Sequence, residues 1–289
     1  MAYRIVSDVS ADVSEELLRG LPEPVLIPMN VTLDGEPHVY GPGGDLQNRE
    51  FYAAQRAGKF ASTSQITPEA YKNAFRPILA AGEDVIYLGL TQGLSAAYGN
   101  ACMAAEELRE EFPERKILPV ETYCAAVGLG FFVREALRMQ QEGQSIEELA
   151  AWAEESRLHV CHWFTVDVFD HLKHGGRVSA AAAVVGTLLQ IKPMLRIQED
   201  GTLAVIDKPR GRKQAIRRQL DHMKDNWDTE RGRLVLIGHG DDEDAARQLK
   251  EAVLAEHPDA DVRMAYIGAL IGAHTGPGML ALIHWGMKR

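Results

Sequence analysis

Short apolar runs alternate with amphipathic stretches along almost the whole chain. Runs at 3–6, 25–31, 84–90, 116–120, 160–166, 193–197, 202–207, 233–238, 262–267 and 279–285 predict β-strands. Between them, 68–80, 94–111 and 125–141 carry apolar residues at helical spacing. Pro68 opens the first of these helices, and Ser145 with Glu148 three residues on forms a capping box for another. Such alternation predicts an α/β protein. Asp200-Gly201, set between two strand runs, predicts a hairpin, so the second half is not purely parallel. The expectation is two domains, an N-terminal α/β/α parallel-sheet domain over 1–158 and a C-terminal α/β domain with a mixed sheet over 159–289.

Composition narrows the classes of function. The chain has 289 residues, 46% hydrophobic and 25% charged, the balance of a folded globular protein. No apolar run reaches the roughly eighteen residues that a membrane helix needs. The formal net charge of −10 argues against nucleic acid as a partner. Three widely spaced cysteines suggest neither a disulfide framework nor a zinc site. With no charged-then-apolar leader before Tyr3, they lead to the expectation of a reducing cytoplasm.

Candidate chemistry gathers in polar turns. In Gly272-Ala273-His274-Thr275-Gly276-Pro277-Gly278, four of seven residues are Gly or Pro, and a His and a Thr offer donors. Lying between the runs 262–267 and 279–285, the segment is expected to be a turn at a sheet edge. Ser62-Thr63-Ser64-Gln65 precedes Pro68, where one hydroxyl caps a helix and the surplus can meet an oxyanion. Thr91-Gln92-Gly93-Leu94-Ser95 follows a strand and precedes a long helix, the position at which α/β proteins bind ligands. Gly175-Gly176-Arg177, followed by Ser179, sets a guanidinium on a glycine turn, suited to a carboxylate or phosphate. Together these turns point to one anionic ligand. The acids around His239 (Asp241, Asp242 and Glu243) are better explained as a helix N-terminus than as a metal site.

With these residues in view, the sequence resembles the DegV family, the fatty-acid-binding subunits of bacterial fatty acid kinases. Ile5-Val6-Ser7-Asp8-Val9-Ser10-Ala11-Asp12 is similar to the family's opening strand and acidic/hydroxyl loop. Thr63-Ser64-Gln65, Gly93-Leu94-Ser95 with Tyr98, and Leu172 through Arg177 to Ser179 match its turns. So do Ile191-Lys192-Pro193, the Asp200-Gly201 hairpin and the run from Ile271 to Gly278. The resemblance implies a fatty acid lying in a tunnel between two domains, with no other cofactor. It implies that Thr63, Ser64, Ser95, His274 and Thr275 hold the carboxylate, with Arg177 and Gly276 as accessory head-group residues. It further implies that the protein is not the catalyst but presents the carboxylate to a separate kinase resembling dihydroxyacetone kinases. Lys208-Pro209-Arg210-Gly211-Arg212-Lys213, a basic cluster on an acidic body, would dock that kinase through Arg210 and Arg212. Transient membrane contact is compatible with this role.

Two departures stand out. Thr91-Gln92 and Ala96-Ala97 replace small hydroxyl and glycine positions of the family's serine-rich turn, and Glu121-Thr122 stands where Asp-Ser or Asp-Thr is usual. Hydroxyls and an imidazole satisfy a buried carboxylate without a full positive charge. At about 0.8 kcal/mol per buried CH₂, the apolar chain supplies most of the affinity. The tunnel walls are expected in 180–189 and 265–271. The alternative is a serine hydrolase using Ser95 and His274 with Asp170 or Asp241. Gly93-Leu94-Ser95-Ala96-Ala97 lacks the second glycine of a nucleophile elbow, however. A phosphate or nucleotide binder ranks lower, since no Gly-x-Gly-x-x-Gly follows the first strand.

Overall fold

The structure, a computed structural model, describes residues 2–178 and 190–289. Its first sheet is parallel, in the order β2 (Val25–Ile27), β1 (Tyr3–Asp8), β6 (Asp84–Gly89) and β7 (Ile117–Glu121). A small antiparallel sheet lies beside it, with β3 (Met29–Leu33) between β4 (Glu36–Tyr40) and β5 (Ala61–Thr63). Pro28 explains why the single run predicted at 25–31 becomes two strands in different sheets, because proline cannot donate to a ladder. The short, polar β4 and β5 left no apolar signature.

Six strands form the second sheet, in the order β10 (Leu203–Asp207), β9 (Met194–Ile197), β8 (Val160–Thr165), β13 (Leu280–Trp285), β11 (Leu234–His239) and β12 (Asp261–Tyr266). Only β11 and β12 pair in parallel, and β9–β10 is the hairpin predicted at Asp200-Gly201. The fold is thus α/β, with a parallel sheet in the first part and a mixed sheet in the second. Every strand up to residue 121 belongs to the first two sheets, and every strand from residue 160 to the third.

Helices form where their sequences dictate. In α2 (Pro68–Ala80), Thr67 Oγ1 accepts from the Ala70 N–H, while Tyr71, Phe75 and Leu79 bury one face at i, i+4, i+8. The capping box of Ser145 and Glu148 opens α5 (Ile146–Ser156). Between them in the chain are α3 (Ala97–Glu111) and α4 (Val127–Gln141), the latter packed on both large sheets.

Candidate ligand-binding site

The segment 272–278 is not a sheet-edge turn. Residues Ala269–Thr275 form a short helix, here α9, and β11 separates the two strands that flank it in sequence. Its buried face of Ala269, Leu270, Gly272 and Ala273 is mostly small, so the helix lies close to its neighbours. Ala269, Leu270 and Ala273 join the core of the first half, with Phe51, Tyr52 and Tyr71. His274 therefore sits in the last helical turn, beside β5. There its Nε2 lies 2.9 Å from Thr63 Oγ1.

Thr63 and His274 mark the polar end of a cavity of about 280 Å³. Ser64, Ser95, Arg177 and Thr275 line the same cavity. The opposite wall is almost wholly apolar: Ala125–Val127 before and at the start of α4, Phe164 on β8, Ile197 on β9, and Ala281 and Ile283 on β13. Side chains on one face of a strand recur every second residue, which is why Met279, Ala281 and Ile283 share the wall. Ala126 adopts φ 52 and ψ −143, a conformation costing of order 1–3 kcal/mol outside glycine, and it does so at the cavity wall.

Each predicted residue has a definite place. Ser95 Oγ accepts from the Ala97 N–H at 3.3 Å in the turn that leads into α3, and it lines the cavity. Ser64 is exposed at the rim. Thr275 is buried, and its hydroxyl donates to the Ile271 carbonyl at 3.2 Å, inside its own helix. Arg177 Nε donates to the Leu94 carbonyl at 3.2 Å, and among the described residues no carboxylate pairs with it. Gly276 does not line the cavity. With φ 74 it ends α9, and a Cβ there would come 2.2 Å from the His171 ring, so its task is structural rather than head-group recognition.

Arg212 also departs from expectation. Its guanidinium donates to Asp167 Oδ1 at 2.7 Å, Asp242 Oδ2 at 3.2 Å, Thr165 Oγ1 at 3.1 Å and the Gly278 carbonyl. At 19% side-chain exposure it clamps the turn after α9 and is not a free cation for a partner. Lys208, Arg210 and Lys213 are exposed, and no carboxylate pairs with them among the described residues.

Burial, then Arg177 and His174, holds the His274 imidazole down to about 4, so at neutral pH it is uncharged. Its Nδ1 has no partner and faces Gly175, where a Cβ would come within 2.1 Å. An N–H is costly where no acceptor waits, so the proton belongs on Nε2, aimed at Thr63 Oγ1. The Thr63 hydroxyl proton is then left for a ligand. No carboxylate hydrogen-bonds His274 among the described residues, and Ser95 does not contact it. Asp241 pairs instead with Arg56 and Tyr266, and Asp170 is exposed. The hydrolase triad is therefore not assembled.

The two departures prove to be one feature. Glu121 Oε1 accepts the Gln92 N–H at 2.8 Å, and Oε2 accepts from Gln92 Nε2 at 3.1 Å. The longer Gln and the longer Glu meet across the turn that carries Ser95. On the other flank, Thr91 Oγ1 donates to the Gly201 carbonyl at 3.2 Å, tying that turn to the β9–β10 hairpin.

Most of the wall lies outside the segments expected from sequence. Of 265–271, Leu270 and Ile271 line the cavity, whereas 180–189 lie outside the described residues. The pattern of alternating small and large residues in Met279, Ala281 and Ile283 was the available signal.

Comparisons with known proteins show the family and the fold. A family model described as "Uncharacterised protein, DegV family" matches residues 2–285. The chain belongs to the DegV family. A DegV domain-containing protein of Clostridium perfringens is 34% identical over 284 residues, covering 98% of this chain and 97% of that one. Among solved structures, a fatty-acid-binding DegV family protein of Thermus thermophilus superposes with a TM-score of 0.86 at 30% identity, over 99% of this chain and 100% of that one. The fatty-acid-binding DegV of Bacillus subtilis gives 0.84 at 26% identity, over 100% of both. No described helix of this DegV protein is long and apolar enough to cross a membrane.

Proposed function

We propose that this protein holds a long-chain fatty acid in the cavity, its carboxylate at Thr63, Ser95 and His274 and its chain along α4, β8 and β13. The observation that carries this reading is the Thr63–His274 pair in the lining of a mostly apolar cavity. Neutral donors satisfy a carboxylate without quenching its nucleophilicity, while the apolar wall supplies affinity. The names of the Thermus and Bacillus relatives, both described as binding fatty acids, support the ligand class.

The carboxylate would be presented to a partner kinase resembling dihydroxyacetone kinases, which makes the acyl phosphate; this protein is not the catalyst. Docking would use the exposed Lys208, Arg210 and Lys213, without Arg212. The cytoplasm, with transient contact at a membrane to exchange lipid, suits that role. Native mass spectrometry with lipid extraction tests the ligand. A long-chain fatty acid is expected to co-purify, and His274→Ala and Ser95→Ala to weaken its retention. Protein that is empty and ignores added fatty acids would sink the reading. For the docking surface, Arg210→Glu is expected to lower kinase-dependent acyl-phosphate formation with the lipid still bound; unchanged turnover would reject that surface.

A further inference from the structure

Helix α9 belongs to the second half of the sequence, yet the first half holds it in place. Tyr52 Oη donates to the Ile267 carbonyl at 2.8 Å, and Gln55 Nε2 donates to the Gly272 carbonyl at 2.9 Å. These two side chains come from α1 (Asn48–Arg56). At the start of the helix, Gly268 is wedged between two more polar groups. A Cβ there would lie 2.2 Å from Tyr40 Oη and 2.5 Å from Asp12 Oδ1, so nothing larger than glycine permits the approach.

Asp12 is the last residue of the acidic opening loop, for which the carboxylate site gives no role. It is 9% exposed and left-handed at φ 48, a conformation that aspartate tolerates. No cation lies within ion-pair distance of it among the described residues. Neither carboxylate oxygen completes a hydrogen bond there, although the Gly268 N–H faces the group. Burial first, and Asp8 nearby, push its carboxyl well above the usual range. Burial of this kind favours the neutral carboxyl over the charged one, so the group fits here as a polar wedge. Tyr40 complements it, with its hydroxyl facing the Ala269 N–H.

We propose that Asp12 and Tyr40 are positioning residues for His274: together they fix where α9 begins, and so where its last turn sets the imidazole against Thr63. From Gly268 to His274 is six residues, about 9 Å of stiff helix, so displacement at one end reappears at the other. A hydrogen bond of 2.9 Å is lost once its partners part by about 0.7 Å. The acidic opening loop thereby acts on the ligand site without touching it. This inference rests on the reading that Thr63 and His274 together hold a carboxylate.

The test compares Asp12→Asn, Asp12→Ala and Tyr40→Phe in two measurements. One is the NMR titration of the His274 ring in lipid-stripped protein; the other is the dissociation rate of a bound saturated C16 acid. Asp12→Asn keeps the size and neutrality of a protonated carboxyl, and it is expected to stay within about twofold of the native rate with an unaltered titration. Asp12→Ala is expected to speed dissociation about tenfold and Tyr40→Phe about threefold, both shifting the His274 resonances. An unmoved His274 titration in both of the latter variants overturns the proposal. So does an Asp12→Asn variant as damaged as Asp12→Ala, since that would require an ionised carboxylate. Should Asp12→Ala not fold, Tyr40→Phe, which removes a single oxygen, decides the matter. Should native protein bind no fatty acid, the proposed function fails while the titration in lipid-free protein still decides this inference.

Discussion

At the end of the cavity beside α9, side chains from three separate loops and elements meet: Thr63 from β5, Ser95 from the turn before α3, and His274 from the helix itself. At the other end, two neighbouring strands and the start of α4 supply an apolar surface with few polar atoms. His162, on that far wall, shows the contrast. Its Nδ1 donates to the Val160 carbonyl at 3.0 Å, so its polarity is turned into the backbone. His274, by contrast, bonds a side chain that itself has capacity to spare. His162 pairs with Ile283, three residues (about 10 Å) along the strands from the Thr165–Leu280 pair near α9. Affinity and orientation are thus separated in space, and each end can be altered without the other.

The strongest way to break the comparison is to fill the apolar wall. Ala281 is 2% exposed, lines the cavity and is the second residue of β13. Ala281→Trp is expected to displace several methylenes of the chain at about 0.8 kcal/mol each, lowering affinity for a C16 acid by about 100-fold or more. Isothermal titration with acids of decreasing length checks it, and short acids should regain affinity in the variant. A uniform loss at every length would mean that the wall does not hold the chain.

Next in size is an acid effect from the polar end alone. Because His274 is held down to about 4 against an ordinary 6.5, the unfolded chain takes up its proton first as pH falls. Its contribution to stability is therefore complete above pH 6.5 and lost as pH falls toward 4, at most about 3 kcal/mol. A bound carboxylate favours the imidazolium, so lipid-loaded protein should lose less over that window. Melting temperatures of native and His274→Gln protein from pH 7 to pH 4, with and without lipid, measure this. Equal slopes in the two proteins would remove His274 from the polar end.

Much of the apolar framework was legible in sequence, and the reason is local. Tyr71, Phe75 and Leu79 repeat at helical spacing, and the Ser145–Glu148 cap is written within four residues. The polar residues Thr63, Ser95 and His274 were legible because hydroxyls and an imidazole at Gly-rich turns have few structural uses. What the sequence hid was non-local. Strands β8 and β13 are buried on both faces, so hydropathy alone does not mark which face lines a cavity. Residues 272–278 read as a turn because their glycines mask the end of a helix that neighbouring side chains, not propensity, hold in place. Arg212 looked like a surface cation because its partners Asp167 and Asp242 are distant in the chain.

A smaller effect sharpens the polar end. Thr63→Val keeps shape but removes the hydroxyl that contacts His274 and that we propose meets the ligand. The loss of one neutral hydrogen bond is worth about 1 kcal/mol, so dissociation of a bound acid should quicken about fivefold to tenfold. Chain-length preference should stay as in native protein. A changed length preference would show that the ends are not independent.

The finest test concerns the turn that carries Ser95. Glu121, 7% exposed, accepts both the Gln92 N–H and the Gln92 side-chain amide, using one oxygen for each. Glu121→Gln keeps the length but leaves one acceptor oxygen where two donors wait, so one buried donor goes unmet. Part of that cost falls on folding, as a melting temperature lowered by a few degrees. The rest reaches the ligand only through Ser95, since Glu121 itself does not line the cavity. Dissociation of the fatty acid is therefore expected to quicken about threefold, with length preference unchanged. In a Glu121→Gln, Ser95→Ala double variant the two effects on dissociation should fall short of additive, because the turn no longer has a hydroxyl to misplace. Fully additive effects would mean that Glu121 and Gln92 support the fold alone, and that the turn holds Ser95 in place without them.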